Sequence, residues 1–144
     1  MKTIRPKDGS RPYVLDHFIS GQTIASLAPG ASTTISIPVQ ADSMFTIVKT
    51  SYSVDIASAS FTDSTRPIPL INVSITDTGS GSNLQLNPVP MACLAGVAGL
   101  PLVWPVPREF KGSSTIQITF TNFSAATTYT NIFLALIGFK TYFQ

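Results

Sequence analysis

The sequence predicts an all-β domain: an antiparallel β-sandwich of about eight strands, jelly-roll-like, with a flexible basic arm at its N-terminus. Three observations carry this. Apolar and polar residues alternate in run after run, the period of a half-buried strand. No stretch sustains a helical period. Gly- and Pro-rich turn signals separate the runs at the spacing of an antiparallel sandwich. The chain has 144 residues, the usual size of one domain and enough for eight strands in two sheets.

The arm comes first. Lys2, Arg5, Lys7 and Arg11 put four of the nine basic residues in the first eleven positions. Pro6, Gly9 and Pro12 break regular structure between them. The boundaries are therefore an arm over 1–12 and one β-domain over 13–144. Within the domain, Ile35, Ile37 and Val39 alternate with Thr34, Ser36 and Pro38. Pro38 cannot donate to a ladder, so this run belongs at a sheet edge or ends there. Phe45 and Ile47 begin a second run, and Tyr52, Val54 and Ile56 a third. Ile71, Val73 and Ile75 face one way, with Asn72, Ser74 and Thr76 opposite. Leu84 and Leu86 form a short run. Ile116, Ile118 and Phe120 alternate with Thr115, Gln117, Thr119 and Thr121. Turn signals lie at Pro29-Gly30, Asp63 to Pro69, Gly79 to Asn83, Gly112-Ser113 and Ser124 to Thr128.

Two segments break the alternation. From Asn131 to Phe143 the chain is apolar at both parities: Ile132, Leu134 and Leu136 on one, Phe133, Ile137 and Phe139 on the other. Such a strand is covered on both faces, so it belongs at the centre of a sheet or against a partner. Met91 to Pro107 interleaves Gly96, Gly99, Pro101, Pro105 and Pro107 with Leu94, Val97, Leu100, Val103 and Trp104. An apolar loop of this length exposes greasy surface, so it is expected to be a contact loop. Trp104 is its expected anchor, because buried Trp often dominates interfaces. The plainer alternative folds the loop over one end of its own sandwich.

Composition points the same way. Hydrophobic residues make up 44% and charged residues 11%, against about 25% charged in typical domains. Ser and Thr supply 34 residues. Two classes of protein have so little charge: those in membranes, and those whose surface is covered by other subunits. The longest apolar stretches, such as Ile132 to Phe139, fall well short of the ~20 residues a helix needs to cross a bilayer. No apolar run follows the basic N-terminus as a signal peptide requires. Burial against partners is the expectation, with no membrane; the plainer alternative is an ordinary β-domain of low charge whose Ser and Thr solvate its outer faces. A net charge of +2 is too small to argue for direct nucleic-acid binding.

Residues suited to chemistry are sparse. Cys93 is the only cysteine, so no intrachain disulfide forms, and it has no basic neighbour to activate its thiol. It is expected to be buried or in the contact loop. His17 is the only histidine, and on a strand its neighbour Asp16 points to the opposite face. Six Asp and Glu109 are scattered without metal-ligand spacing. The expectation is therefore no catalytic residue, no metal and no cofactor. One triplet argues otherwise. Asp77-Thr78-Gly79 resembles the catalytic motif of retroviral-type aspartic peptidases, with Gly96 to Gly99 where a flap would lie and Leu136-Ile137-Gly138 near the C-terminus. In a dimer, two such carboxylates share a proton. However, Thr76 stands where those enzymes carry an apolar residue, no helix follows Gly138, and about sixty β-like residues precede the motif. Thr78 to Asn83 also reads simply as a hairpin turn.

A broader resemblance covers residues 88 to 143. An apolar, Pro-rich approach (Pro101 to Pro107) leads to a Gly turn at Lys111-Gly112-Ser113 and a strand ending in Thr121-Asn122. A small-residue loop (Ser124 to Thr128) precedes a last strand through Ile137-Gly138-Phe139-Lys140. This pattern resembles the small structural proteins of tailed-bacteriophage virions. The resemblance implies a jelly-roll or related sandwich that acts as a capsid decoration (cement) protein on the outer surface of the head. Its partners would be the major capsid protein and copies of itself, as a dimer or trimer, and it would be made in the host cytoplasm. The expected contact residues are Lys2, Arg5, Lys7 and Arg11 in the arm, and Leu94, Val97, Leu100, Val103 and Trp104 in the loop. The alternative is a neck, tail or fibre component that binds host or carbohydrate, with Asn83, Asn87, Tyr129 and Asn131 as candidate polar contacts.

Overall fold

A computed structural model describes residues 2–4, 13–57, 68–97 and 99–143. Among them, eleven strands and one helical turn build two antiparallel sheets packed face to face. The strands are β1 (Lys2–Ile4), β2 (Tyr13–Ser20), β3 (Thr23–Leu27), β4 (Ser32–Pro38), β5 (Ser43–Ile56), β6 (Ile71–Asp77), β7 (Ser82–Asn83), β8 (Val89–Pro90), β9 (Leu102–Phe110), β10 (Thr115–Asn122) and β11 (Tyr129–Phe143). The turn of helix, α1, is Met91–Leu94. Sheet A runs β1-β2-β11-β5-β9, with β3 also on β11. Sheet B runs β4-β10-β6-β7, with β8 also on β6.

Eleven strands fill eight structural positions. β2 and β3 are two halves of one, since β2 pairs with Leu136 to Phe143 of β11 and β3 with Tyr129 to Phe133. β7 and β8 share another beside β6, and β1 is an added edge strand on β2. Numbered by position, sheet A reads 1-8-3-6 and sheet B reads 2-7-4-5. That is the jelly-roll order, as the sequence led us to expect.

The core is the layer between the sheets. Ile35 and Ile37 of β4, Ile116, Ile118 and Phe120 of β10, and Ile71, Val73 and Ile75 of β6 point inward from sheet B. Phe45, Ile47 and Val54 of β5 and Ile132, Leu134 and Leu136 of β11 meet them from sheet A. For β4, β6, β10 and the two halves of β5 these are the parities the alternation assigned; for β11, apolar at both parities, the structure makes the choice. Each such side chain contributes about 1.5–3 kcal/mol by leaving water. Pro38 ends β4, and β4 is an edge of sheet B, where its missing N–H does no harm. β11 is central, between β2 and β5.

The second and third alternating runs are one strand. β5 is continuous for 14 residues, but its inward parity changes from Phe45 and Ile47 to Tyr52, Val54 and Ile56. The register shift beside Ile47 and Lys49 leaves Val48 as an extra residue, and one extra residue turns the remainder of a strand over. A compensating shift lies in β11 between Thr130 and Phe133, where Asn131 has φ 49°. Gly138 sits beside the Val48 bulge, and a Cβ there would run into the Thr46 carbonyl.

Several expectations need correcting. Leu84 and Leu86 are not in a strand. The Gln85 side chain lies along β6 instead: its Oε1 accepts from the Ile75 N–H at 3.0 Å and its Nε2 donates to the Val73 carbonyl at 3.3 Å. Met91 to Pro107 is not one loop, because α1 opens it and β9 occupies its second half. The arm's first residues, Lys2 to Ile4, form the edge strand β1 opposite Tyr13 to Leu15. Arg5, Lys7 and Arg11 lie outside the described residues.

Candidate functional site

β9 forms the free edge of sheet A opposite β1. It pairs with β5 at both ends, Phe45↔Phe110 to Ile47↔Arg108 and Lys49↔Val103 to Thr50↔Leu102. Between those pairs β5 supplies one residue, Val48, and β9 supplies four, Trp104 to Pro107. Pro105 and Pro107 have no N–H to give a ladder, so the strand bows away where they fall and returns at Arg108. This bulge is why the sequence reads as a loop although its ends are strand.

The Thr50 side chain fastens the base of the bulge. Thr50 is fully buried. Its Oγ1 donates to the Leu94 carbonyl at 2.5 Å and accepts from the Trp104 indole N–H at 3.0 Å. Its carbonyl accepts from Gly96 N at 3.2 Å. Thr50 thus ties α1 and β9 to sheet A through its hydroxyl, and the link after α1 through its backbone carbonyl. Trp104 and Leu94 are half-buried against the core. Trp104 is therefore not a free anchor as expected; it closes the side of its own sandwich.

The exposed aliphatic residues lie around this base. Leu100 is 78%, Val106 75% and Val103 57% exposed, and Val97 and Leu102 are also exposed. Gly96 permits this presentation: a Cβ there would strike the Leu100 carbonyl, and the close approach lets Val97 and Leu100 form a tight bridge. A cleft of ≈ 480 Å³ runs between β9 and the segment after β7, lined by Asn83, Leu84, Gln85, Leu94, Trp104 and Arg108 among others. Leu86, in the same segment, is 96% exposed. Val97, Leu100 and Val103 were identified from sequence. Leu102, Val106 and Leu86 were not, although Val106 stands between two prolines that deny it a regular strand. Cys93 is exposed on α1, which leaves the contact-loop expectation for it and removes the buried one.

Arg108 joins this edge to Asp77. The Asp77 carboxylate ends β6 and is buried. Its Oδ1 accepts from the Gly79 N–H at 2.9 Å and its Oδ2 from the Ser80 hydroxyl at 3.0 Å. Arg108 Nη2 lies 3.4 Å from Oδ2 and 3.3 Å from the Ser82 hydroxyl. Thr78 bonds across to Thr115 through both backbone and hydroxyl. The triplet thus forms a tied turn, in which a carboxylate organises the backbone two residues on with a cation at its side.

Of the arm's basic residues only Lys2 is described, and it is not brought to the apolar edge. Lys2 is at the β1 edge and Val103 at the β9 edge, with β2, β11 and β5 between them, about 19 Å at ~4.8 Å per strand. The residues suggested for a polar contact site are dispersed as well. Tyr129 is buried with its hydroxyl accepting from the Leu70 N–H, and Asn131 is bonded to Asp55. Asn83 alone lines the cleft. His17 is exposed on the outer face of sheet A. Among the described residues no three His, Cys, Asp or Glu side chains form a group able to hold a metal ion, and no helix is long and apolar enough to cross a membrane. Compared with known proteins, the chain significantly matches no family model, no curated protein and no solved structure.

Proposed function

We propose that the chain is a non-enzymatic structural protein of a virion, a cement-type subunit that stabilises a capsid by lying across the junctions of shell subunits. One observation carries the reading: a jelly roll with 11% charged residues exposes Val97, Leu100, Leu102, Val103 and Val106 along one edge. Contiguous apolar surface of that kind marks a contact site. Jelly rolls serve in capsids, and also in lectins and small-molecule enzymes, so the fold supports the reading only by analogy. The mechanism is mechanical. Burial of the edge removes apolar area from water at about 25 cal/mol per Å², and repetition over many copies resists the outward pressure of packaged DNA. The turn built around Asp77 agrees with a structural role, since its carboxylate is already engaged by Gly79, Ser80 and Arg108.

The test uses heads of the encoding virus assembled without this protein. Purified chain is expected to cosediment with them, to appear as repeated surface density in micrographs and to raise their heat resistance. Leu100→Ser with Val106→Ser abolishes uptake while the free domain stays folded. Heads that take up no protein, or take up the variant equally, sink the proposal. The cleft favours one other reading, a fibre or tail component that binds carbohydrate, because Trp104 stands there beside Asn83, Gln85 and Arg108. Saturable binding on a glycan array, lost in Asn83→Ala, would choose it instead.

A further inference from the structure

Among the described residues the two sheets have four edges, and three of them are blunted by devices that stay in place. β1 is three residues long and carries Lys2. β9 bows out at Pro105 and Pro107, which have no N–H to offer. The outer side of β6 is covered by β7, by β8 and, between them, by the Gln85 amide on Ile75 and Val73. The fourth edge, β4, differs. It runs for seven residues in unbroken register with β10 and pairs with no other strand. It has no bulge, and no charged residue stands between His17 and Asp42. Short length, bulges and charge are the usual means by which an edge strand avoids pairing with another chain. The register shows which backbone groups are free. Ala31 bonds to Asn122, and Val39 to Ser113 and Ser114. Alternate residues of an antiparallel strand turn their backbone groups to opposite sides. Thr33, Ile35 and Ile37 therefore bond to β10, while Ser32, Thr34 and Ser36 turn N–H and C=O outward. Pro38 has no N–H, but it blocks only the last position.

One side chain lies across that edge. Gln22, at the corner between β2 and β3, donates from Nε2 to the Ser36 carbonyl at 2.9 Å. The corner is held close to β11, since a Cβ on Gly21 would run into the Phe133 ring and the Leu134 carbonyl. We propose that Gln22 guards β4 against a second copy of the same chain. Without the guard, β4 of one copy pairs antiparallel with β4 of another about a two-fold axis at Thr34, and sheet B extends across both. That register is self-complementary, as a two-fold requires. Thr34 meets Thr34, Ser32 meets Ser36 and Ser36 meets Ser32, each with its outward N–H and C=O. The side chains beside the axis are hydroxyls already bonded to β10, Ser32 to Thr121 at 2.8 Å and Thr34 to Thr119 at 2.9 Å, so no like charges oppose the approach. Gln22 occupies the Ser36 carbonyl that the second chain's Ser32 N–H would take. A two-fold interface meets this block twice, once from each copy. The guard depends only on β4 and the corner, so it holds or fails separately from the virion reading.

The experiment is sedimentation velocity on the full chain over a concentration series, with the parent, Gln22→Ala, and Gln22→Ala combined with Thr34→Lys. Removing the guard frees two carbonyls per interface, so Gln22→Ala is expected to lower the Kd for pairing of the parent species by about ten-fold or more. Amide hydrogen exchange at Thr34, whose N–H faces solvent in the parent, is expected to slow in the paired form. Thr34→Lys sets like charges together at the axis and is expected to return the double variant to the parent's sedimentation. Gln22 and Thr34 are exposed, and unchanged thermal melts show that the fold persists. A Gln22→Ala chain that sediments as the parent does at every concentration overturns the proposal. So does association that Thr34→Lys leaves intact, or that leaves exchange at Thr34 as fast as before.

Discussion

Asn122 has a larger part in this domain than its place at a strand end suggests. It is fully buried. Its Nδ2 donates to the carbonyls of Leu27 at 3.0 Å and Thr127 at 2.7 Å, and its Oδ1 accepts from the backbone and hydroxyl of Ser124 at 2.9 and 2.7 Å. Its own backbone bonds to Gly30 and Ala31. Its side-chain amide thus joins the end of β3 to the Ser124 to Thr128 loop, while its backbone holds the link before β4. Removing it strands several buried polar groups, each worth about 1–3 kcal/mol when unpaired. Asn122→Ala is therefore expected to lower stability by at least about 2 kcal/mol, read as a fall in the urea midpoint at constant m. Lys140 shows the same economy at the other end of the sandwich: its stem is buried, and its ammonium lies 3.8 Å from the Phe18 ring centroid and 3.0 Å from Gln40 Oε1. The Thr-Asn and Phe-Lys pairs were visible in sequence as parts of a pattern. Their bonds were not, because every partner but Ser124 and Thr127 is distant in the chain.

Among the elements, β9 and the β5–β11 pair decide the shape. The Thr50 hydroxyl is the only side-chain bond fixing both Trp104 and Leu94 among those described, and Trp104 is the only tryptophan. Thr50→Val keeps the shape and removes the hydroxyl. The intrinsic emission of Trp104 is then expected to shift to the red as the indole loosens, with about 1–2 kcal/mol lost; an unshifted spectrum would mean packing alone holds the bulge. Gly138 tests the bulge at Val48. Any Cβ there meets the Thr46 backbone, so the strand must move, and Gly138→Ala should cost about 1–3 kcal/mol or more in chemical denaturation. β1, β2, β3 and β9 were not legible as strands. β2 carries Val14 and Phe18 towards the core and Tyr13, Leu15 and Ile19 outward, so it does not alternate. β9 hides behind its prolines. A strand covered on both faces, or bowed by a bulge, loses the period-2 signal on which sequence reading depends.

For the whole molecule, the distribution of surface chemistry matters more than its amount. The hydroxyls and amides of sheet B face water, while the aliphatic side chains collect on the outside of sheet A and along β9. Substituting exposed aliphatics should then change association without changing the fold. Leu100→Ser with Val106→Ser is expected to move thermal stability by no more than about 0.5 kcal/mol per site and to reduce binding of the apolar dye ANS clearly. A large loss of stability would show that these residues pack on the domain itself. The same distribution divides the residues of the expected contact loop. Val97, Leu100 and Val103 are exposed as expected, whereas Leu94 and Trp104 turn inward to the Thr50 hydroxyl.

The sequence by itself determined the fold class, the inward parity of β4, β6 and β10, a last strand apolar on both faces and the turn at Asp77. Alternation and turn chemistry are local properties, written within a few residues of where they act. Tertiary structure alone decided that Trp104 closes the core, that Lys2 and Val103 stand at opposite edges, and that Gln22 lies against Ser36. Those outcomes depend on strand order and bulges, and both are set by contacts between segments that the chain brings together only when the two sheets close.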